Sequence, residues 1–283
     1  MIGDIGGKSR NFTSLLGSDR TPQPLDKQLF ITYLKSRNIK DAIKVISENL
    51  ELPEQKELLI KGVYFFKQLK DPELAEQLLI RLVELGPDPT DGDCFIEIAK
   101  LYIKEENVEA AKRIGCLLRS CGGKFNKGAD QIFKYVVAFY VKHDASIKAE
   151  SFVEEVSNNQ VFSSECFCYI AHDYYCNKED RESAIRVALK VDVSIKKSYN
   201  NATILLGEIF RNYGSDQELE EAIEIAKVDA SRSGALLKHI LWGCRQRGDL
   251  VAAFRAAIEI KQALQDFTVA ELPFNGLYET RRN

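Results

Sequence analysis

The chain has 283 residues, of which 45% are hydrophobic, and a formal net charge of −3. This composition is typical of a folded soluble protein, whereas a protein that binds nucleic acid along its length usually carries a clear basic excess. No apolar run reaches the roughly 18 residues that predict a membrane span, and the first thirty residues lack the features of a secretory signal. The seven cysteines form an odd set without framework spacing, which predicts reduced thiols and a cytoplasmic location.

The chain falls into three segments. Residues 1–24 are rich in Gly, Ser, Asn and Pro and show no hydrophobic period, which predicts a flexible N-terminal arm. Residues 25–267 predict one helix after another, with little β signature. Residues 268–283 are aperiodic apart from a few apolar side chains such as Leu272 and Phe274. We expect this C-terminal tail either to dock on the last helix or to act as a short peptide motif.

Residues 83–120 show the helical pattern most clearly. The turn around Pro87 ends the preceding helix, and a short polar turn at residues 105–107 separates two amphipathic stretches. Their apolar residues recur at steps of three and four: Phe95, Ile98, Leu101 and Tyr102 in the first stretch, and Ala110, Ile114 and Leu117 in the second. Neither helix can bury such a stripe alone, so the pair needs neighbouring helices.

A small residue early in the second helix of each pair marks a repeat along the whole helical segment: Ala42, Ala75, Ala110, Ala149, Ala184, Ala222 and Ala252. The residue nine positions earlier is aromatic in five of the seven pairs: Tyr33, Phe66, Leu101, Tyr140, Tyr175, Tyr213 and Gly243. A large ring late in one helix requires a small residue on the next helix if the two axes are to approach closely. The repeat of about 34 residues predicts an all-α fold, an α-solenoid of about seven antiparallel helix pairs.

This pattern resembles the tetratricopeptide repeat (TPR) family in a degenerate form. The TPR unit has about 34 residues, with a tyrosine late in the first helix, an alanine early in the second and a proline at its end. In the second unit Pro87 stands twelve residues after Ala75, as the family pattern requires. In the fifth unit Cys168 and Ala171 depart from the pattern, because they stand where the family has an aromatic residue and a leucine. The resemblance implies a superhelix whose first helices line a concave face that holds a protein or peptide.

The register of the repeat predicts which side chains lie on that face. The predicted partner-binding residues are Lys61, Tyr64, Tyr102, Lys134, Tyr135, Lys142, Tyr169, Asp173 and Arg211, with Lys67 and Lys238 beside them. Tyrosine offers a large contact area at a low entropy cost. The basic residues favour a partner with acidic groups or a free carboxylate.

We therefore interpret the chain as a non-enzymatic protein–protein interaction scaffold or adaptor that needs no cofactor. Cys168, His172 and Cys176 share one helical stripe, but small side chains are wanted at that helix contact, so we predict structural thiols and no metal site. The alternative is a helical-repeat protein that binds single-stranded RNA, by analogy with pentatricopeptide repeats. The inward positions lack the recurring Asn, Asp, Ser or Thr that such base reading needs, so nucleic acid is not expected.

Overall fold

Fourteen α-helices in seven consecutive pairs make up the part of the chain that the computed structural model describes, residues 25–264. Helices and short helical turns account for 83% of these residues, and none of them lies in a strand. The pairs are α1 (Leu25–Lys35) with α2 (Ile39–Asn49), α3 (Leu52–Leu69) with α4 (Pro72–Glu84), α5 (Gly92–Lys104) with α6 (Val108–Ser120), α7 (Asn126–Lys142) with α8 (Ser146–Val156), α9 (Gln160–Cys176) with α10 (Arg181–Ala188), α11 (Lys196–Arg211) with α12 (Asp216–Val228), and α13 (Ala230–Gln246) with α14 (Leu250–Leu264). The predicted all-α architecture of seven helix pairs is confirmed. The predicted N-terminal arm and C-terminal tail lie outside the described residues.

A common turn joins the two helices of most pairs. In six of the seven described turns, the residue just before the cap of the second helix has left-handed backbone geometry: Arg37, Lys70, Glu106, Asp144, Glu179 and Gly248. The next residue is Asn or Asp in five of these six turns: Asn38, Asp71, Asn107, Asp180 and Asp249. Each of these five side chains accepts a hydrogen bond from the backbone N–H three residues later. A left-handed residue terminates a helix, and Asn and Asp are favoured N-cap residues for the next helix. The local sequence therefore determines where each pair turns.

The alanines predicted to allow close helix crossing are all buried in the structure. In the third and seventh pairs, however, the register predicted from the sequence is wrong by one residue. In the seventh pair, counting four residues from the cap at Asp249 gives Ala253 instead of Ala252.

In the third pair, counting four residues from the cap at Asn107 gives Ala111, and the residue nine positions earlier is Tyr102 instead of Leu101. The Tyr102 side chain is only 1% exposed, and its backbone carbonyl accepts a hydrogen bond from the Asn107 N–H. Tyr102 therefore lies in the core.

The helices divide into two compact units, of which the first is Met1–Phe139. In its described part, α3 packs against α5, and the second helices α2, α4 and α6 pack in succession. Between α6 and α7 the Phe133 ring lies directly over Gly115, where any side chain would collide with it. At the α4–α6 contact, Glu76 accepts hydrogen bonds from the guanidinium of Arg113 at 3.2 Å.

The second unit is Tyr140–Asn283, and the division falls within α7. Its described first helices pack in the order α9, α11, α13, and its second helices α12 and α14 also pack together. Between α11 and α13 the contact is very close, because the His239 ring lies against Gly207 and a side chain at Gly243 would come within 2.6 Å of the Arg211 carbonyl oxygen. None of the helices in residues 25–264 has the length and apolar character needed to span a membrane.

Candidate functional site

In the first unit, three of the predicted surface residues, Tyr64, Lys67 and Tyr135, belong to a row of alternating charges and rings. The Glu97 carboxylate lies 2.6 Å from Lys67 Nζ and 2.8 Å from Lys100 Nζ. Lys67 stands 5.6 Å from the centre of the Tyr64 ring, and Lys100 stands 5.5 Å from the centre of the Tyr135 ring. Hydrogen bonds from Lys100 and Lys67 lower the pKa of Glu97 to about 2. Two of the basic residues on this row are thus already paired.

The sequence analysis missed Glu97, although a signal for it was present. Glu97 and Lys100 are three residues apart on one helix, a spacing that brings opposite charges together. Lys61 is also paired, with Glu57 at 2.5 Å. Lys134 is exposed and lies next to Tyr135 in the sequence. The positive charge predicted for this surface is therefore partly neutralised by acidic residues of the same helices.

Tyr102 is a correction to the predicted surface. Its hydroxyl donates a 2.5 Å hydrogen bond to Glu76, and burial together with this bond raises the pKa of Tyr102. Because the side chain lies in the core, it offers no contact area to a partner in this structure. The one-residue difference in register is the physical reason for the error.

In the second unit, the structure brings together three of the predicted residues. Lys142, Tyr169 and Asp173 line one cavity of about 400 Å³. Asp173 is buried and accepts hydrogen bonds from Ser146 at 2.7 Å and from Asn177 at 2.8 Å. Asp173 therefore connects the start of α8 to α9, while Lys142 and Tyr169 remain exposed.

A larger groove lies between the successive first helices α9 and α11, with a volume of about 650 Å³. We call it the α9–α11 groove, and its lining includes Glu165, Tyr169 and His172 from α9 and Lys197, Ile204 and Glu208 from α11. The side chains of Tyr169 and Ile204 are 49% and 53% exposed. Tyr169 also lines the cavity that contains Lys142, so this one ring is shared by both depressions. The groove combines two large apolar contacts with a charged and polar rim.

The cysteine and histidine stripe of α9 lies next to this groove. Cys176 Sγ is 3.6 Å from His172 Nε2. Burial raises the pKa of the Cys168 thiol, which disfavours the thiolate that binds metals and attacks electrophiles. In the part of the chain that the structure describes, no group of three or more His, Cys, Asp or Glu side chains could hold a metal ion.

Arg211 contacts an aromatic residue that the sequence analysis did not single out. The Arg211 guanidinium carbon stands 4.7 Å from the centre of the Trp242 ring, and the Trp242 side chain is 45% exposed. Lys238 is exposed and lies four residues before Trp242 on α13. The distance from Arg211 to the ring is typical of a cation–π interaction, so the structure places Arg211 and Trp242 together on adjacent first helices.

Comparisons with known proteins bear on the fold alone. No protein-family model and no curated protein matches the chain. Among solved structures, it is similar to a signal transduction ATPase with numerous domains and a tetratricopeptide repeat sensor from Pyrococcus horikoshii, at 16% identity and a TM-score of 0.34. That similarity covers 84% of this chain and 40% of the archaeal one, so the chain spans less than half of that protein.

A putative kinesin light chain from Podospora anserina with TPR-like repeats is similar at 15% identity and a TM-score of 0.24, covering 84% of this chain and 92% of the fungal one. At TM-scores this low, the similarities add nothing to the assignment of the helix pairs as TPR-like. That assignment rests on the buried alanines and the repeated turns described above. These residues form TPR-like helix pairs.

Proposed function

We propose that this chain is a non-enzymatic protein-interaction module that holds a segment of a partner protein in the α9–α11 groove. The observation that carries the proposal is the pair of half-exposed side chains, Tyr169 and Ile204, which two successive first helices present to the same groove. Repeat proteins built from stacked helix pairs use extended surfaces of this kind for binding.

The groove has the composition of a peptide-binding site. The Tyr169 ring offers a large, rigid contact area, and Ile204 adds an aliphatic contact from the opposite helix. Polar residues such as Asn201 and His172 lie among the lining residues, where they can form hydrogen bonds with a peptide backbone. A helix of 16 residues, the length of α11, is roughly 24 Å long. An extended segment of about seven residues has the same length.

The partner segment can continue from the groove towards Lys142, because Tyr169 lines both cavities. Single-stranded RNA is less compatible with this site, because the carboxylates of Glu165 and Glu208 would repel a phosphate backbone. All seven cysteines are free thiols. Free thiols persist in a reducing compartment, which supports the cytoplasmic location that forms part of this proposal.

Site-specific photo-crosslinking tests the groove directly. A photoreactive phenylalanine is placed at Tyr169 or at Ile204, and a matched control carries it at Ile147, which is 73% exposed on the second helix α8 of the same unit. We expect positions 169 and 204 to crosslink in cells to the same peptide of one partner protein, and position 147 not to. Equal crosslinking from position 147, or no protein crosslink from the groove, would contradict the proposal. A nuclease-sensitive product would support the RNA alternative.

A further inference from the structure

We infer that the bound partner segment carries acidic side chains, and that a basic surface beside the groove binds them. This surface, which we call the Arg–Trp patch, consists of Arg211 on α11 and Lys238, Trp242 and Arg245 on α13. The inference rests on the proposed function and adds the charge pattern of the partner. Its basis is the arrangement of unpaired basic groups around an exposed tryptophan.

Helix α13 has a one-sided charge pattern. It contains no Asp or Glu. Lys238, Trp242 and Arg245 lie four and three residues apart, which places them on one stripe of the helix, and all three are exposed. A basic stripe with an aromatic residue at its centre can bind carboxylates through charge and the adjoining apolar groups through the ring.

Arg211 adds a positioned guanidinium to this stripe. The close approach of Gly243 to the Arg211 backbone brings α11 and α13 together, and the guanidinium lies 4.7 Å from the Trp242 ring. Its Nε is buried and forms no hydrogen bond in the structure. The Arg211 residue as a whole is only partly buried, so a carboxylate of the partner would bind its charge from the accessible side of the guanidinium.

Several other basic residues in the second unit are paired with carboxylates. Arg186 pairs with Glu150 at 2.6 Å, and Arg181 pairs with Glu221 at 2.5 Å, so these two basic groups stabilise contacts between helices. Over the described range, no carboxylate lies within 4 Å of the charged nitrogens of the three basic residues in the Arg–Trp patch. Within the described range, no carboxylate therefore competes with an incoming ligand for these charges.

The groups around the Arg–Trp patch make its charge different from that of the adjacent groove. Burial and the neighbouring charge of Arg211 lower the pKa of His239, while Glu208 acts in the opposite direction, and the net shift favours the neutral imidazole. Glu208 and Glu165 line the adjacent groove. A partner segment with acidic residues over the patch and apolar or basic residues in the groove matches both surfaces. A uniform polyanion such as RNA would be repelled by the groove.

The test begins with peptides selected from a random display library on the full chain. We expect the selected peptides to be enriched in Asp and Glu near one end and to bind with an affinity that falls as the salt concentration rises. The double variant Arg211→Glu/Lys238→Glu should weaken binding about tenfold or more, since each patch residue then repels an acid instead of pairing with it. A matched control, Lys148→Glu/Lys261→Glu, reverses two exposed charges outside the patch and should leave the affinity unchanged. Circular dichroism melting shows whether each variant remains folded.

A charge exchange makes the test specific. Peptides in which Asp and Glu are replaced by Lys and Arg should bind the Arg211→Glu/Lys238→Glu variant more tightly than they bind the unaltered chain. Selected peptides without acidic enrichment, or peptides whose affinity the double variant leaves unchanged, would overturn the inference. If such peptides still depend on Tyr169, the proposed groove stands while the inference fails. If no peptide depends on either surface, both fail, and low-salt retention of oligouridine that the double variant abolishes would assign the patch to RNA.

Discussion

The closest helix contact in the second unit gives the sharpest prediction about stability. Replacing Gly243 with Ala would place a methyl group 2.6 Å from the Arg211 carbonyl oxygen, which belongs to the backbone of α11. Alanine favours the helical state over glycine by about 1 kcal/mol. Overpacking a closely packed site costs about 1–3 kcal/mol, and this contact belongs in the upper part of that range, at about 2–3 kcal/mol, because no side-chain rotation can relieve it. The contact therefore outweighs the gain, and we expect a net loss of about 1–2 kcal/mol.

Urea unfolding measures this loss, and the chain provides a local probe. Trp242 is the single tryptophan and is adjacent to Gly243, so its fluorescence reports on the α11–α13 contact, whereas circular dichroism reports on all helices. Because helical repeats need not unfold as one cooperative unit, we expect the fluorescence transition to shift to lower urea more than the dichroism transition does.

A matched control is Gly92→Ala, because the added methyl group there would meet the nearest atom only at 3.9 Å, an ordinary contact. It should leave the stability unchanged or raise it slightly. If Gly243→Ala matches this control or stabilises the chain, the two helices are not as close as 2.6 Å implies, and the positioning of Arg211 on Trp242 loses its structural basis.

Two further predictions concern buried polar groups. Burial raises the pKa of Glu150, but the hydrogen bonds from Arg186 and the charges of Arg186 and Lys190 outweigh it and leave that pKa below its ordinary value of 4.5. The stabilisation from Glu150 is therefore present above that ordinary pKa and is lost as the pH falls through the lower folded-state pKa. Glu150→Gln should cost about 1–2 kcal/mol at neutral pH, because Arg186 is half exposed. Its stability difference from the unaltered chain, measured by urea unfolding, should shrink in acid, and a constant difference would contradict the pairing. Tyr102→Ala should lower the free energy of unfolding by about 3–5 kcal/mol because it empties a core site. Tyr102→Phe should cost about 1 kcal/mol through the lost Glu76 hydrogen bond. Partner binding by a folded Tyr102→Phe variant should be unchanged in a peptide titration.

The number of helix pairs and their close crossings could be predicted from sequence because both are local properties. Six of the seven buried alanines stand three or four residues after a helix cap, and five of the seven turns have the same chemistry, a left-handed residue followed by Asn or Asp. The alanine pattern alone offered two neighbouring choices in the third pair, Ala110 and Ala111, and both are buried. Only the turn at Asn107 distinguishes them. Reading the cap together with the alanine would have placed Tyr102 in the core.

The site could be predicted less well, because it depends on how separate helices face one another. The list of surface residues included Tyr169 and Arg211, but nothing in the local pattern showed that Ile204 faces the same groove as Tyr169 or that Trp242 lies under Arg211. Ion pairs between two helices also cannot be predicted from the hydrophobic period of one helix. The sequence predicted Lys67 as an available charge, but in the structure Glu97 of α5 lies 2.6 Å from it.

The state of each charge decides where a partner can bind. A basic residue that already holds a carboxylate must break that pair before it can bind a new one, and a charged hydrogen bond contributes about 1.5–3 kcal/mol. Lys67 and Lys100 in the first unit share Glu97 and would pay this cost. Arg211 would not, because its guanidinium contacts the Trp242 ring and no carboxylate of the described residues lies within 4 Å of its charged nitrogens. The same reasoning supports our proposal that an acidic partner binds at Tyr169 and the Arg–Trp patch of the second unit and not at the charged row of the first.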